Sequence, residues 1–162
     1  QQPAVPPVPP LDRPLDQPLG QPQGQPMGGS TAPAAHAVRG RVLSVEDNPV
    51  NQLLVEQLLS RLPGVQLLQA ESGEAALDVA RRERPDLVLL DLHLPDMDGA
   101  QWLDRFRADA QLAAIPVVAL SASSLEEDVR QAREHGACDY WTKPLDFERF
   151  MGGISRLLGS RA

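Results

Sequence analysis

The sequence predicts a doubly wound α/β fold: a five-stranded parallel sheet with five helices covering both faces. Three observations predict it. From about Val38, short apolar strand-like runs alternate with helical patterns five times, and β/α units joined by right-handed crossovers place helices on both faces of a parallel sheet. Leu87–Leu90 is apolar without alternation, as a central parallel strand buried on both faces must be. Apart from Gly152-Gly153, the Gly and Pro residues beyond Val38 fall at or beside the ends of these runs, where helix-capping residues also lie.

Val42–Val45 is the first strand. Asn48 then caps a helix whose first position is Pro49, where the missing N–H costs nothing. Leu53, Leu54, Gln57, Leu58 and Leu62 follow helical spacing, and Pro63-Gly64 ends the helix. Val65–Gln69 is the second strand. Ser72-Gly73 opens the helix of Ala76, Leu77 and Ala80, which Pro85 closes. After the central strand, a loop through Asp98-Gly99 leads to the helix of Trp102, Leu103 and Phe106, with Trp102 expected in the core or on a half-buried helix face. Pro116–Leu120 is the fourth strand. Ser123-Ser124 with Glu126 and Glu127 offers two overlapping capping boxes for a helix ending at Gly136. Cys138 is expected as a small buried filler. Tyr140–Thr142 is a short fifth strand and Asp146–Leu158 the last helix, in which Gly152-Gly153 predicts a kink or fraying at about 1 kcal/mol per glycine relative to alanine.

Residues 1–37 differ from the rest. They hold ten of the 16 prolines, many glutamines and no aromatic residue, with only Asp12, Arg13 and Asp16 as charges. Such a segment buries too little apolar surface to offset its ordering entropy and is expected to be a disordered Pro/Gln-rich linker ahead of a folded domain, residues 38–162. The chain opens on Gln1 rather than Met, which suits a piece of a longer protein. A net charge of −7 makes nucleic acid and anionic membranes poor partners. No apolar run approaches the ~18 residues of a membrane span, so no direct membrane contact is expected. The single cysteine, Cys138, excludes an internal disulfide framework and agrees with a reducing, cytoplasmic setting.

Two of the strands end in acid: Val42–Val45 runs into Glu46-Asp47, and Leu87–Leu90 into Asp91. In the order 2-1-3-4-5 these strands are neighbours at the switch in strand order, where sites form beyond the carboxyl ends of the strands. Three carboxylates so close raise one another's pKa unless a cation sits among them. Ser121 follows the fourth strand and Lys143 the fifth. Lys143 is the only lysine; every other cation among the 15 Lys and Arg residues is an arginine. Its compact ammonium suits a phosphoryl or carboxylate oxygen where a planar guanidinium would need more room. Pro144 favours a tight turn, compatible with a cis bond, that aims the lysine back across the strand ends. Three carboxylates, a hydroxyl, a lysine and an implied hard, oxygen-ligated Mg²⁺ are what phosphoryl transfer to a carboxylate requires. Asp91, lying centrally, is the candidate nucleophile, which leaves Glu46 and Asp47 as metal ligands.

Glu46-Asp47-Asn48, Asp91 with Leu94-Pro95-Asp96-Met97-Asp98-Gly99, Ser121-Ala122, and Tyr140 with Lys143-Pro144 occur in this order, each motif beginning at or beside a predicted strand end. In these motifs and their spacing, residues 40–158 resemble a response-regulator receiver domain, the flavodoxin/CheY-like family of the chemotaxis protein CheY. The resemblance implies that Asp91 is the phosphoacceptor. It also implies that Glu46 and Asp47 bind Mg²⁺ together with Asp91 and the backbone carbonyl of His93. Ser121 and Lys143 would contact the phosphoryl group, and Tyr140 would be the switch aromatic that turns inward when Ser121 moves.

Within that family, Val45–Asn51 and Ile115–Ala122 are similar to the receiver at the C-terminus of hybrid sensor histidine kinases. That similarity implies a phosphorelay domain taking its phosphoryl group from a histidine kinase domain of the same parent chain, itself tethered to a membrane. The group would pass to a histidine phosphotransfer protein or bias a protein contact. Such a domain is a phosphoacceptor and not a multiple-turnover enzyme. Two other readings compete. A receiver-like interaction module that works without phosphorylation has no reason to keep three repelling carboxylates. A Mg²⁺-dependent phosphohydrolase with an Asp nucleophile generally needs a second acid two residues on, where this chain has His93.

Overall fold

The computed structural model describes residues 38–159; the expected linker, residues 1–37, lies outside the described residues. The elements alternate without exception: β1 Gly40–Val45, α1 Pro49–Leu59, β2 Val65–Ala70, α2 Gly73–Glu83, β3 Leu87–Asp91, α3 Gly99–Ala108, β4 Val117–Ser121, α4 Glu126–Glu134, β5 Asp139–Thr142 and α5 Phe147–Gly159. All four strand pairings are parallel, in the order β2-β1-β3-β4-β5. The acids of β1 and β3 are therefore neighbours, as the strand order required.

Alternation of side chains along the strands divides the core into two layers. Leu43, Val45, Val88, Leu90, Val117 and Ala119 pack with α2, α3 and α4 through Leu77, Trp102, Phe106 and Ala132. Val42, Leu87, Leu89, Val118, Leu120 and Trp141 pack with α1 and α5 through Val55, Leu58, Phe150 and Ile154. Trp102 is fully buried, stacked on Phe106 at 4.6 Å between ring centroids.

The structure corrects four local expectations. In α1 the buried face is Val55, Leu58 and Leu59, whereas Leu53 is 55% exposed. This helix is apolar nearly all round, so spacing alone could not choose its rotation; the side chain of Gln52, donating to Glu46 O at 2.6 Å, helps set it. Neither capping box forms on α4. Ser123 lies ahead of the N-cap residue Leu125, and its Oγ accepts from Leu125 N and donates to Asp128 Oδ2. Cys138 is exposed: it precedes β5, in which Tyr140 and Trp141 are the residues buried on the two faces of the sheet. Finally, α5 runs unbroken through Gly152-Gly153. Gly153 lies against the indole of Trp141, where no side chain would fit.

Candidate functional site

Each acid reaches the site because its strand stops there. Glu46 directly follows β1, with its N–H still bonded to Ala70 O of β2 at 3.0 Å. Asp47 comes next, ahead of the α1 N-cap Asn48, whose Oδ1 accepts from Val50 N and Asn51 N. Asp91 is the last residue of β3. The ligand oxygens of Glu46, Asp47 and Asp91 lie within 4.8 Å of one another; Glu46 and Asp91 are buried and Asp47 is exposed. Every candidate donor is a carboxylate oxygen, which fits a hard divalent cation of the Mg²⁺ or Ca²⁺ kind.

The side chain of Lys143 crosses from β5 to this cluster. Its Nζ donates to Glu46 Oε1 at 3.0 Å and to Asp91 Oδ2 at 3.2 Å. The Lys143-Pro144 peptide is cis, and Lys143 N donates to Ser121 O at 2.8 Å. Ser121, the last residue of β4, is buried, and its Oγ accepts from Ser123 N at 3.1 Å. Tyr140 is buried too, and its hydroxyl donates to Ser123 O at 2.8 Å. His93 N donates to Asp91 Oδ1 at 2.9 Å, and the exposed His93 lines an open cleft of about 410 Å³ with Asp47, Asp96 and Asp98.

The electrostatics favour an added cation. Burial raises the Glu46 carboxyl above its ordinary range, and neighbouring Asp91 pushes it the same way; Lys143 and the Asn48 N–H pull against them. Burial works against the Lys143 charge, but the Glu46 hydrogen bond and the charges of Asp91 and Glu46 outweigh it and hold its pKa up. One ammonium thus serves two buried carboxylates, with exposed Asp47 alongside.

The structure brings together Glu46, Asp47, Asp91 and Lys143, with Ser121 one hydrogen bond from Lys143. Sequence reasoning assigned no role to Gln52, which holds the Glu46 carbonyl, or to Asp96, which reaches helix α2; both act through contacts that no local pattern encodes.

This chain belongs to the response regulator receiver domain family, whose model matches residues 42–155. It is 36% identical over 118 residues to protein PilH of Pseudomonas aeruginosa, covering 73% of this chain and 97% of PilH. It is 40% identical over 108 residues to the sensor protein GacS of Pseudomonas syringae, covering 65% of this chain and 12% of GacS. A similar solved structure is the receiver domain of sensor histidine kinase PA1611 of Pseudomonas aeruginosa PAO1, with a magnesium ion coordinated in its active-site cleft. Its TM-score is 0.69 at 33% identity, covering 75% of this chain and 98% of that one. The chain is therefore a receiver domain of two-component signalling.

Proposed function

We propose that Asp91 accepts a phosphoryl group from a phosphohistidine on a histidine kinase domain. The N–P bond of the donor breaks as an O–P bond to the Asp91 carboxylate forms, and the imidazole leaves. The observation that carries this reading is the oxygen-only triad of Glu46, Asp47 and Asp91, spanned by the ammonium of Lys143. Glu46, Asp47, Asp91 and the backbone carbonyl of His93 would hold Mg²⁺, which when bound supplies charge neutralisation at the phosphoryl oxygens. Lys143 then turns from Glu46 toward the phosphoryl group, and the Ser121 hydroxyl donates to it. Losing the acceptance from Ser123 N frees the 121–123 turn, and Tyr140, bonded to Ser123 O, senses that change.

The domain, residues 38–162, is proposed as the C-terminal receiver of a hybrid sensor histidine kinase, on the cytoplasmic side, with residues 1–37 as its linker. The similarity to GacS and to the PA1611 receiver supports this context. No helix among the described residues is long and apolar enough to cross a membrane. A histidine phosphotransfer protein is the proposed acceptor. Val50, 73% exposed, and Leu53 give such a partner an apolar surface on α1, which begins two residues after Asp47.

The test is phosphorylation by a small-molecule phosphodonor with Mg²⁺. One acid-labile phosphate is expected on the wild type and none on Asp91→Asn. Labelling that survives the substitution refutes the assignment of Asp91. A wild type that takes no label, from this donor or from a kinase, returns the domain to a phosphorylation-independent interaction module.

A further inference from the structure

Helix α2 begins with three backbone N–H groups that its own turns cannot satisfy. Ser72 Oγ takes that of Ala75 at 3.1 Å. The other two are taken from far along the chain: Asp96 Oδ1 accepts from Gly73 N at 2.8 Å and Asp96 Oδ2 from Glu74 N at 3.0 Å. A carboxylate suits this place because it offers one oxygen to each N–H and its charge meets the positive end of the helix. The pairing holds its acid form low: the Gly73 and Glu74 N–H groups keep the Asp96 carboxyl below its ordinary range.

Gly73 is gripped on two further sides by the same stretch of chain. A Cβ on it would come within 2.7 Å of Met97 Cγ, and its carbonyl accepts from the Trp102 indole Nε1 at 3.0 Å. The groups gripping Gly73 are Asp96 and Met97 of the loop between β3 and α3, which also carries His93, and Trp102 of α3 just after it. The loop's other bonds give it shape: Gly99 N donates to Leu92 O at 3.1 Å, and His93 pairs with Asp98 in an antiparallel bridge. At its β4 side, Leu92 N donates to Leu120 O at 3.0 Å. These bonds close the loop on itself and tie it to β4, His93 N is held by Asp91 Oδ1, and the joint at α2 anchors the loop on its other side.

We propose that Asp96 is a positioning residue for the cation site: by holding the N–H groups of Gly73 and Glu74 it sets where the loop presents the His93 carbonyl to Glu46, Asp47 and Asp91. This rests on the reading of His93 as the backbone ligand. Asp96 touches neither the cation nor the phosphoryl group. It acts through the loop, as residues supporting metal ligands do.

The experiment is a Mg²⁺ titration followed by tryptophan fluorescence and by the indole N–H resonance of Trp102, on the wild type and on Asp96→Ala, Asp96→Asn and Asp109→Ala. Asp96→Ala should weaken Mg²⁺ about tenfold and shift the Trp102 indole resonance before any metal is added. Asp96→Asn keeps one acceptor oxygen, enough for only one of the two N–H groups, and should fall between the wild type and Asp96→Ala in both affinity and resonance shift. Asp109, which accepts from Gln111 N at 2.9 Å, is the control for general destabilisation, and its variant should bind as the wild type does. Wild-type affinity in Asp96→Ala overturns the proposal. So does a loss of affinity in Asp96→Ala with the Trp102 resonance unmoved, which assigns the effect to charge in the cleft. If Asp96→Ala does not fold, Asp96→Glu replaces it. That variant keeps the charge, so weaker binding can come only from a displaced loop, and wild-type affinity overturns the proposal. A wild type that does not respond to Mg²⁺ refutes the metal-site reading itself, whatever the variants do.

Discussion

Gly153 and Trp141 are in contact across the interface between α5 and the sheet, so close that a Cβ at Gly153 would lie 2.3 Å from Trp141 Cζ2. Gly152, one position earlier, has no atom within 4 Å of the place its Cβ would occupy. The two glycines share a helix and have opposite relations to the core. Gly152→Ala should raise stability by about 1 kcal/mol, the helix-propensity difference alone. Gly153→Ala should lower it by about 1–3 kcal/mol through overpacking against the indole. Urea midpoints of the two variants check this, and equal effects would contradict the packing described.

Ser44 Oγ, on β1 between Val42 and Glu46, is buried without a hydrogen-bond partner among the described residues. An orphan buried hydroxyl carries its desolvation cost uncompensated. Ser44→Ala should therefore stabilise the domain by about 1 kcal/mol, seen as a higher denaturation midpoint at unchanged slope. A loss of stability would mean that the hydroxyl is in fact satisfied.

The pairing of Asp96 with the first turn of α2 gives the acid limb of stability a defined sign. Its carboxyl lies below the ordinary 3.8 of an aspartate, so its contribution is fully present above that value and is lost as pH falls through the lower, folded value. Asp96→Asn should be less stable than wild type near neutral pH, and the gap should close as pH drops below about 3.8. Thermal melts across the acid range measure the gap. A gap constant with pH would remove the carboxylate's charge from the account.

Without Lys143 the buried carboxylates of Glu46 and Asp91 have no ammonium between them. Lys143→Ala should cost about 2–3 kcal/mol in the absence of divalent cations, less than a fully buried pair because the lysine is partly exposed. Added Mg²⁺ should then raise the melting temperature of the variant more than that of the wild type, since the ion replaces the lost positive charge. Equal shifts in the two proteins would show that Lys143 does not compete with the ion for the acids.

The sheet and its site were legible in the sequence for one physical reason: the signals that carried them are local. A short unbroken apolar run between breakers, such as Leu87–Leu90 between Pro85 and Pro95, marks a central strand, and Asn48-Pro49 marks a helix start by backbone chemistry alone. Glu46, Asp47, Asp91, Ser121 and Lys143 could be grouped because parallel topology gathers strand ends at one edge. The rotation of α1, the missing caps of α4 and the fit of Gly153 against Trp141 depend on what lies across an interface. The grip of Asp96 on α2 joins residues 23 apart, and nothing in either segment announces the other.

Lys143 has a consequence for chemistry done on the protein from outside. It carries the chain's only side-chain amine, every other basic side chain apart from the histidines being a guanidinium, and 19% of it reaches solvent. An amine-directed acylating reagent therefore has a single internal target, located at the acid cluster. The extent of modification becomes a footprint of that cluster: whatever engages or releases the ammonium changes how fast it reacts, and intact-mass spectra can follow this without an engineered label.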